Sequence, residues 1–243
     1  MLKRLTDICF SLIGLIVFSP VLLIFCFLIW LQDFNNPFYI SSRVGRLNKD
    51  FKLIKLRSMV VNADSSGVDS TSTDDKRITK IGSLIRQFKI DEIPQLINVF
   101  LGQMSFVGPR PNVRSDVNLY TKKEELLLIV KPGITDFSSI IFSDEGEILA
   151  GSEDPDLKYN QIIRPWKSRL GILYIQNASF LLDFKLLIYT LVSIFWKDFI
   201  IELICKELRN IGADKRLIEI CTRKETLTPH PPPGTDRIFK RVL

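Results

Sequence analysis

Histidine is almost missing from this 243-residue chain. His230 stands alone, in the stretch Thr228-Pro229-His230-Pro231-Pro232-Pro233. That nearly excludes acid–base chemistry by imidazole and any zinc site built on several of them. Cysteine is scarce as well. Cys9, Cys26, Cys205 and Cys221 are nowhere spaced C-x-x-C, which removes support for a zinc knuckle or a dithiol redox pair. Cys9 and Cys26 fall in an apolar run and read as small hydrophobes. The chain has no G-x-x-x-x-G-K-[ST], G-x-G-x-x-G or H-E-x-x-H motif, no internal repeat and no signal-peptide cleavage pattern.

What remains is distinctive. Apolar residues make up 46% and charged residues 25%, the balance of a folded chain. The net charge is +6 and the pI about 9.1, which suits an anionic partner such as a membrane surface or nucleic acid. Five of those six charges lie in the first sixty residues, together with the longest apolar run. Ile8 to Leu31 are uncharged throughout, and a helix of that length spans roughly 36 Å, enough for a bilayer core of about 30 Å. Two features favour a helix that breaks and returns to one leaflet over a simple span. Ser19-Pro20 sits at mid-run, where proline removes a backbone hydrogen bond and the Ser19 hydroxyl can satisfy the freed group. Both flanks are basic, Lys3 and Arg4 before, Arg43, Arg46, Lys49, Lys52, Lys55 and Arg57 after, and positive flanks mark the cytoplasmic side.

Phe38 to Met59 reads as a β-hairpin turning at Gly45–Lys49, with Lys55 and Arg57 on a cationic face. Asn62 to Lys76 reads as a mobile polar loop. Helices are expected over 78–88 and 93–101. Phe180 to Cys205 is apolar but interrupted by charge, and its run from Leu186 to Trp196 is too short to span; it suits an interfacial helix or a buried one. Residues 226–236 are Pro-rich and expected to be unstructured. The expected class is α+β, predominantly α-helical, with a re-entrant membrane helix (1–34), a small β-hairpin within a catalytic domain (35–205) carrying interfacial amphipathic helices, and a C-terminal extension (206–243).

The chemistry concentrates between Arg86 and Pro111. Asp91-Glu92 are adjacent acids at an expected helix start. With Pro94 in the first turn, Asp91 reads as the N-cap, leaving free N–H groups and the positive helix end for a phosphate or a divalent cation complex. The ordinary alternative is a stabilising cap. Pro109-Arg110-Pro111 fixes the backbone on both sides of an arginine, pre-orienting its guanidinium for a phosphate, and Arg86 adds a second cation.

These blocks carry a resemblance. Ser19-Pro20, Arg43-Val44-Gly45, Lys55-Leu56-Arg57-Ser58-Met59 and Arg77-Ile78-Thr79-Lys80-Ile81-Gly82 are followed by Asp91-Glu92-Ile93-Pro94-Gln95-Leu96-Ile97-Asn98, Gly102-Gln103-Met104-Ser105, Val107-Gly108-Pro109-Arg110-Pro111 and Lys131-Pro132-Gly133-Ile134-Thr135. Over roughly residues 1–200 the chain is similar to the bacterial sugar transferases, the monotopic phosphoglycosyl transferases. One departure is Asp136, where many members carry glycine. The resemblance implies transfer of a sugar-1-phosphate from a UDP-sugar to polyprenyl (undecaprenyl) phosphate, releasing UMP and starting surface glycan assembly. It implies Asp91 as nucleophile and Mg²⁺ ligand, Glu92 as the second member of the dyad, and Lys55, Arg57, Arg86, Pro109, Arg110 and Pro111 in substrate binding, with Ser19 and Pro20 at the re-entrant break. It places the catalytic domain on the cytoplasmic face of the bacterial inner membrane, upstream of glycosyltransferases. A homodimer is compatible with it, and nucleic acid has no part. The residues by themselves also fit a Mg²⁺-dependent phosphohydrolase at a membrane surface, or a non-enzymatic membrane scaffold.

Overall fold

The computed structural model describes residues 2–240, so the first residue of the anchor segment and the last three of the C-terminal extension lie outside the described residues. The chain opens with one helix, α1 (Leu2–Asp33). It continues as the hairpin β1 (Phe38–Val44) and β2 (Asp50–Leu56), antiparallel with Val44 opposite Asp50 and Phe38 opposite Leu56. Then come α2 (Lys80–Gln87), α3 (Gln95–Phe100), β3 (Ser105–Val107), α4 (Arg114–Val117), β4 (Gly133–Thr135), α5 (Phe137–Ile141), α6 (Glu145–Leu149) and α7 (Pro155–Lys158). A π-turn, Tyr159–Ile163, leads into α8 (Arg164–Asn177), followed by α9 (Phe180–Ser193), α10 (Lys197–Asn210) and α11 (Lys215–Cys221). The architecture is the expected mostly helical α+β class with few, short strands.

Helix starts follow local chemistry. Thr79, Asp136, Ser179 and Asp214 each cap a helix by accepting a backbone N–H two or three residues on. Asp136, the departure from the family pattern, thus opens α5 and accepts hydrogen bonds from Ser138 and Ser139. The main core is Phe137, Ile140, Ile141, Ile163, Trp166, Leu170, Leu186, Ile204 and Leu208, packed among α5, α8, α9 and α10. Smaller clusters join the hairpin to α3 (Phe51, Leu53, Val99, Met104) and α1 to β2 and α2 (Ile29, Leu56, Ile85). Behind them Arg164 and Glu124 form a fully buried ion pair, with Ser168 and the N–H of Thr121 also donating to Glu124.

Helix α1 differs from the expectation in one respect. It runs unbroken through Ser19-Pro20. The carbonyl of Ile16, which proline cannot bond, accepts the Ser19 hydroxyl at 2.8 Å, so the hydrogen-bond ladder is repaired locally. Both ends of α1 are held by the same globular body. Near the start, Lys3 pairs with Asp183 at 2.6 Å, and Arg4 donates to the carbonyls of Val99 and Phe100 at 2.6 and 2.7 Å. Midway, Gly14 lies so close to Leu96 that a Cβ there would sit 2.9 Å from its methyl. At the far end Asp33 pairs with Arg57. The other faces of α1 expose apolar side chains, Ile13, Ile16, Val17, Leu23 and Ile24 among them, and α9 and its connection to α10 add Phe184, Leu191, Phe195 and Trp196. Among the described residues α1 alone is long and apolar enough to cross a membrane.

Two segments expected to be loose are tied down. The polar loop docks on residues 146–156: the N–H groups of Asp69 and Ser70 donate to Asp156, and that of Thr73 donates to the Gly146 carbonyl. Arg77 closes it from inside by pairing with Asp75 and donating to Ala63 and Val68 carbonyls. The Pro-rich tail lies along α8. His230 stacks on Trp166 with centroids 4.2 Å apart and donates its N–H to the Gln161 carbonyl. The carbonyls of Pro231 and Pro233 accept from Arg169 and Thr121. An extended proline-rich strand has free carbonyls to offer, and side chains take the place of a ladder.

Candidate active site

Asp91 and Glu92 lie on a single 3₁₀ turn, Ile90–Glu92, just ahead of α3. This corrects the expected N-cap. Lys89 precedes the turn in the left-handed region (φ 55°), and the N–H groups of Glu92 and Ile93 are used inside it, on the carbonyls of Lys89 and Ile90. The turn therefore spends these two N–H groups on itself and presents its carboxylate side chains. Pro94, at φ −61°, stands immediately before α3, where its missing N–H costs nothing.

Strand β2 brings Lys55 to the pair. Its Nζ lies 3.1 Å from Glu92 Oε1 and 3.6 Å from Asp91 Oδ2. Arg110 reaches the same Glu92 oxygen and forms a close ion pair with it. Its position depends on a backbone contact between distant segments. β3 and β4 pair in parallel, Ser105 opposite Gly133 and Val107 opposite Thr135. The Gly108 N–H donates to the Thr135 carbonyl, and the Gly133 N–H to the Pro109 carbonyl, both at 3.0 Å. A Cβ on Gly133 would fall 2.1 Å from the Gly108 nitrogen, so only glycine permits this approach. Pro109 and Pro111 are buried on either side of a half-buried Arg110.

The two carboxylates differ in state. Burial pushes the Asp91 carboxyl above its usual range; Lys55 opposes this and the Glu92 charge adds to it. Burial acts on Glu92 too, but the Arg110 and Lys55 charges outweigh it and hold that carboxyl well below the usual range. Glu92 is thus locked as a charged hub, while Asp91 is held only loosely. Two acids driven apart by their surroundings are the mark of two separate roles. Arg86, on α2, adds its field at Asp91.

Not every expected residue meets at this point. Arg57 is buried and committed elsewhere, bonding Asp33 at the end of α1 and the Asn36 carbonyl. Ser19 and Pro20 lie on the exposed flank of α1. Sequence reasoning passed over Lys89, and also the Lys167–Glu145 pair, whose charges reach Lys89 and Arg110 respectively. A lysine two residues before an acid pair was the visible signal for the first; nothing local marks the second. Among the described residues no group of three or more His, Cys, Asp or Glu is placed to hold a metal ion. Mg²⁺ needs no such cage when substrate phosphates and water complete its shell, and a single buried carboxylate with a loosely held oxygen, Asp91, fits that kind of site.

A buried acid pair ringed by cations thus lies beside a long apolar helix whose two ends are held by the same globular body. The bacterial sugar transferase profile matches residues 1–197, and the chain belongs to that family. An Aeromonas hydrophila protein named UDP-N-acetylgalactosamine-undecaprenyl-phosphate N-acetylgalactosaminephosphotransferase is 32% identical over 196 residues, covering 79% of this chain and 43% of the relative. An exopolysaccharide production protein of Rhizobium leguminosarum bv. phaseoli is 36% identical over 206 residues, covering 79% of this chain and 94% of the relative. A UDP-galactose-lipid carrier transferase of Erwinia amylovora is 31% identical over 212 residues, 81% of this chain and 41% of the relative. The chain spans less than half the length of the Aeromonas and Erwinia proteins.

Proposed function

We propose that the chain transfers a sugar-1-phosphate from a UDP-sugar to polyprenyl phosphate by way of a covalent phosphosugar–Asp91 intermediate. An Asp91 oxygen attacks the β-phosphorus, the bond to the α-phosphate breaks and UMP leaves. An oxygen of polyprenyl phosphate then attacks the same phosphorus and releases the Asp91 carboxylate, leaving polyprenyl-diphosphate-sugar. The observation that carries this reading is the division of labour in the dyad. Glu92 holds Arg110 and Lys55 together through one oxygen in two close ion pairs, whereas Asp91 meets only Lys55 among the described residues, at 3.6 Å, and is the more loosely held carboxylate. The names of the relatives support the substrate classes.

Each residue then has a task. Glu92 fixes Lys55 and Arg110 as preorganised positive charge beside the phosphorus, where it stabilises charge developing in the transition state. Pro109 and Pro111 fix the backbone of Arg110. Arg86 adds positive potential on the α2 side. Mg²⁺, bound through Asp91 and the diphosphate, would offset repulsion between carboxylate and phosphate. No strong base is required, because polyprenyl phosphate arrives already ionised, which accords with a chain whose single histidine is stacked on Trp166.

The apolar face of α1 and the exposed side chains of α9 would lie in one leaflet, on the cytoplasmic side where nucleotide-sugars are found. Support for this comes from the attachment of both α1 ends to the same body. The test is UMP release from a panel of UDP-sugars with Mg²⁺, with and without undecaprenyl phosphate. Release that depends on the lipid supports the transferase; steady release without it would mean a hydrolase.

A further inference from the structure

Glu92 neutralises two cations of the site, Lys55 and Arg110. Lys89 is another cation beside the dyad, and it is left over. It stands on the turn that carries both carboxylates. Its N–H donates to the Arg86 carbonyl and its own carbonyl accepts from Glu92, each at 3.1 Å. Its left-handed backbone is unfavourable for any residue with a Cβ, so the turn sets the direction in which the side chain leaves. The residue is exposed, and its ammonium has no hydrogen-bond or ion-pair partner among the described residues. The charges around it are Glu92 and Asp91 of the dyad, Arg110, and Lys167. Both carboxylates already face Lys55, and Lys167 is already paired with Glu145. Positive charge therefore exceeds negative charge on the side of the dyad where Lys89 stands. Like charges gathered in this way are favourable only when an anion joins them, and a compact ammonium serves as a point charge for phosphate oxygens.

We propose that Lys89 is a further phosphate-binding cation of the active site, contacting a substrate phosphate that reaches Asp91. The inference rests on the transferase reading, in which the donor diphosphate and the lipid phosphate both approach that carboxylate and offer Lys89 the same chemistry. Steady-state UMP release over a matrix of UDP-sugar and undecaprenyl phosphate distinguishes the two sources, because in a two-step mechanism kcat/KM for each substrate reports its own half-reaction. Lys89→Met is expected to lower kcat/KM about tenfold or more for the substrate whose phosphate it holds. Lys89→Arg should recover most of that loss, and Lys122→Met, which removes an exposed charge elsewhere, should match wild type.

A drop confined to the UDP-sugar assigns the donor diphosphate, and a drop confined to the lipid assigns the acceptor phosphate. Calorimetric binding of inorganic pyrophosphate runs beside the kinetics and needs no turnover. Weaker binding by Lys89→Met supports the proposal even if wild type proves inactive on every UDP-sugar, a result that would count against the transferase reading alone. Unchanged kcat/KM for both substrates together with unchanged pyrophosphate binding overturns it. So does a loss that Lys89→Arg fails to recover and that comes with a lowered Tm.

Discussion

Arg110 and Glu92, eighteen residues apart in the chain, close an ion pair that also takes in Lys55. One carboxylate therefore positions two cations beside its neighbour Asp91. Glu92→Gln keeps the shape but removes the charge. It should lower kcat by about 10²-fold, the scale of losing preorganised transition-state contacts, while KM for the UDP-sugar moves much less. A large rise in KM with kcat intact would assign Glu92 to substrate binding instead.

The buried pair of Arg164 and Glu124 ties the start of α8 to the turn at Glu124–Leu128. Glu124→Ala leaves the guanidinium without its partner in a dry interior and is expected to cost roughly 3–5 kcal/mol. Thermal or denaturant unfolding in detergent checks this. A Tm within a degree of wild type would show that the pair carries no such weight.

Asp116 gives a pH signature. Burial, with Asp69 as the next cause, raises its carboxyl to about 6 from an ordinary value near 3.8. The folded protein then binds the proton more tightly than the unfolded chain. Stability contributed by this group is present below about pH 4 and is lost as pH rises through about 6. Asp116→Asn removes the titration, so its Tm relative to wild type should climb between pH 4 and 6 and stay higher above. A constant difference across that range would contradict the assignment.

Pro20 is expected to matter for topology. In Pro20→Ala the Ile16 carbonyl regains a backbone donor and the helix becomes a better span. Thiol labelling of Leu2→Cys and Asn35→Cys, in a background freed of the native cysteines, should show both ends on one side in the parent. One end should be lost from that side in Pro20→Ala, with activity falling. Unchanged labelling and activity would remove proline from the topology.

Much of this was legible in the sequence. The apolar run, the hairpin, the Asp91-Glu92 pair and the proline-flanked Arg110 are local patterns, and local patterns survive folding. Ser19 was readable too, since the carbonyl that a proline frees is always four residues back. The rest depended on distance in the chain. Nothing around Arg57 announced that Asp33 would capture it, because that pair is made when α1 folds back on β2. Gly108 and Gly133 each look like turn glycines, and only the parallel β3–β4 ladder shows that each makes room for the other. The N-cap assignment of Asp91 failed because Lys89 adopts a left-handed backbone usually left to glycine or asparagine. The proline-rich tail looked free by composition, yet His230 found the face of Trp166.

The most direct measurement is the intact mass of the purified protein after incubation with Mg²⁺ and its UDP-sugar, without lipid acceptor. A gain equal to one sugar-phosphate is expected on wild type and none on Asp91→Asn, with the added mass discharged by undecaprenyl phosphate. Lipid-dependent UMP release with no adduct under any acceptor-free condition would contradict a covalent Asp91 intermediate and point to direct transfer between the two substrates.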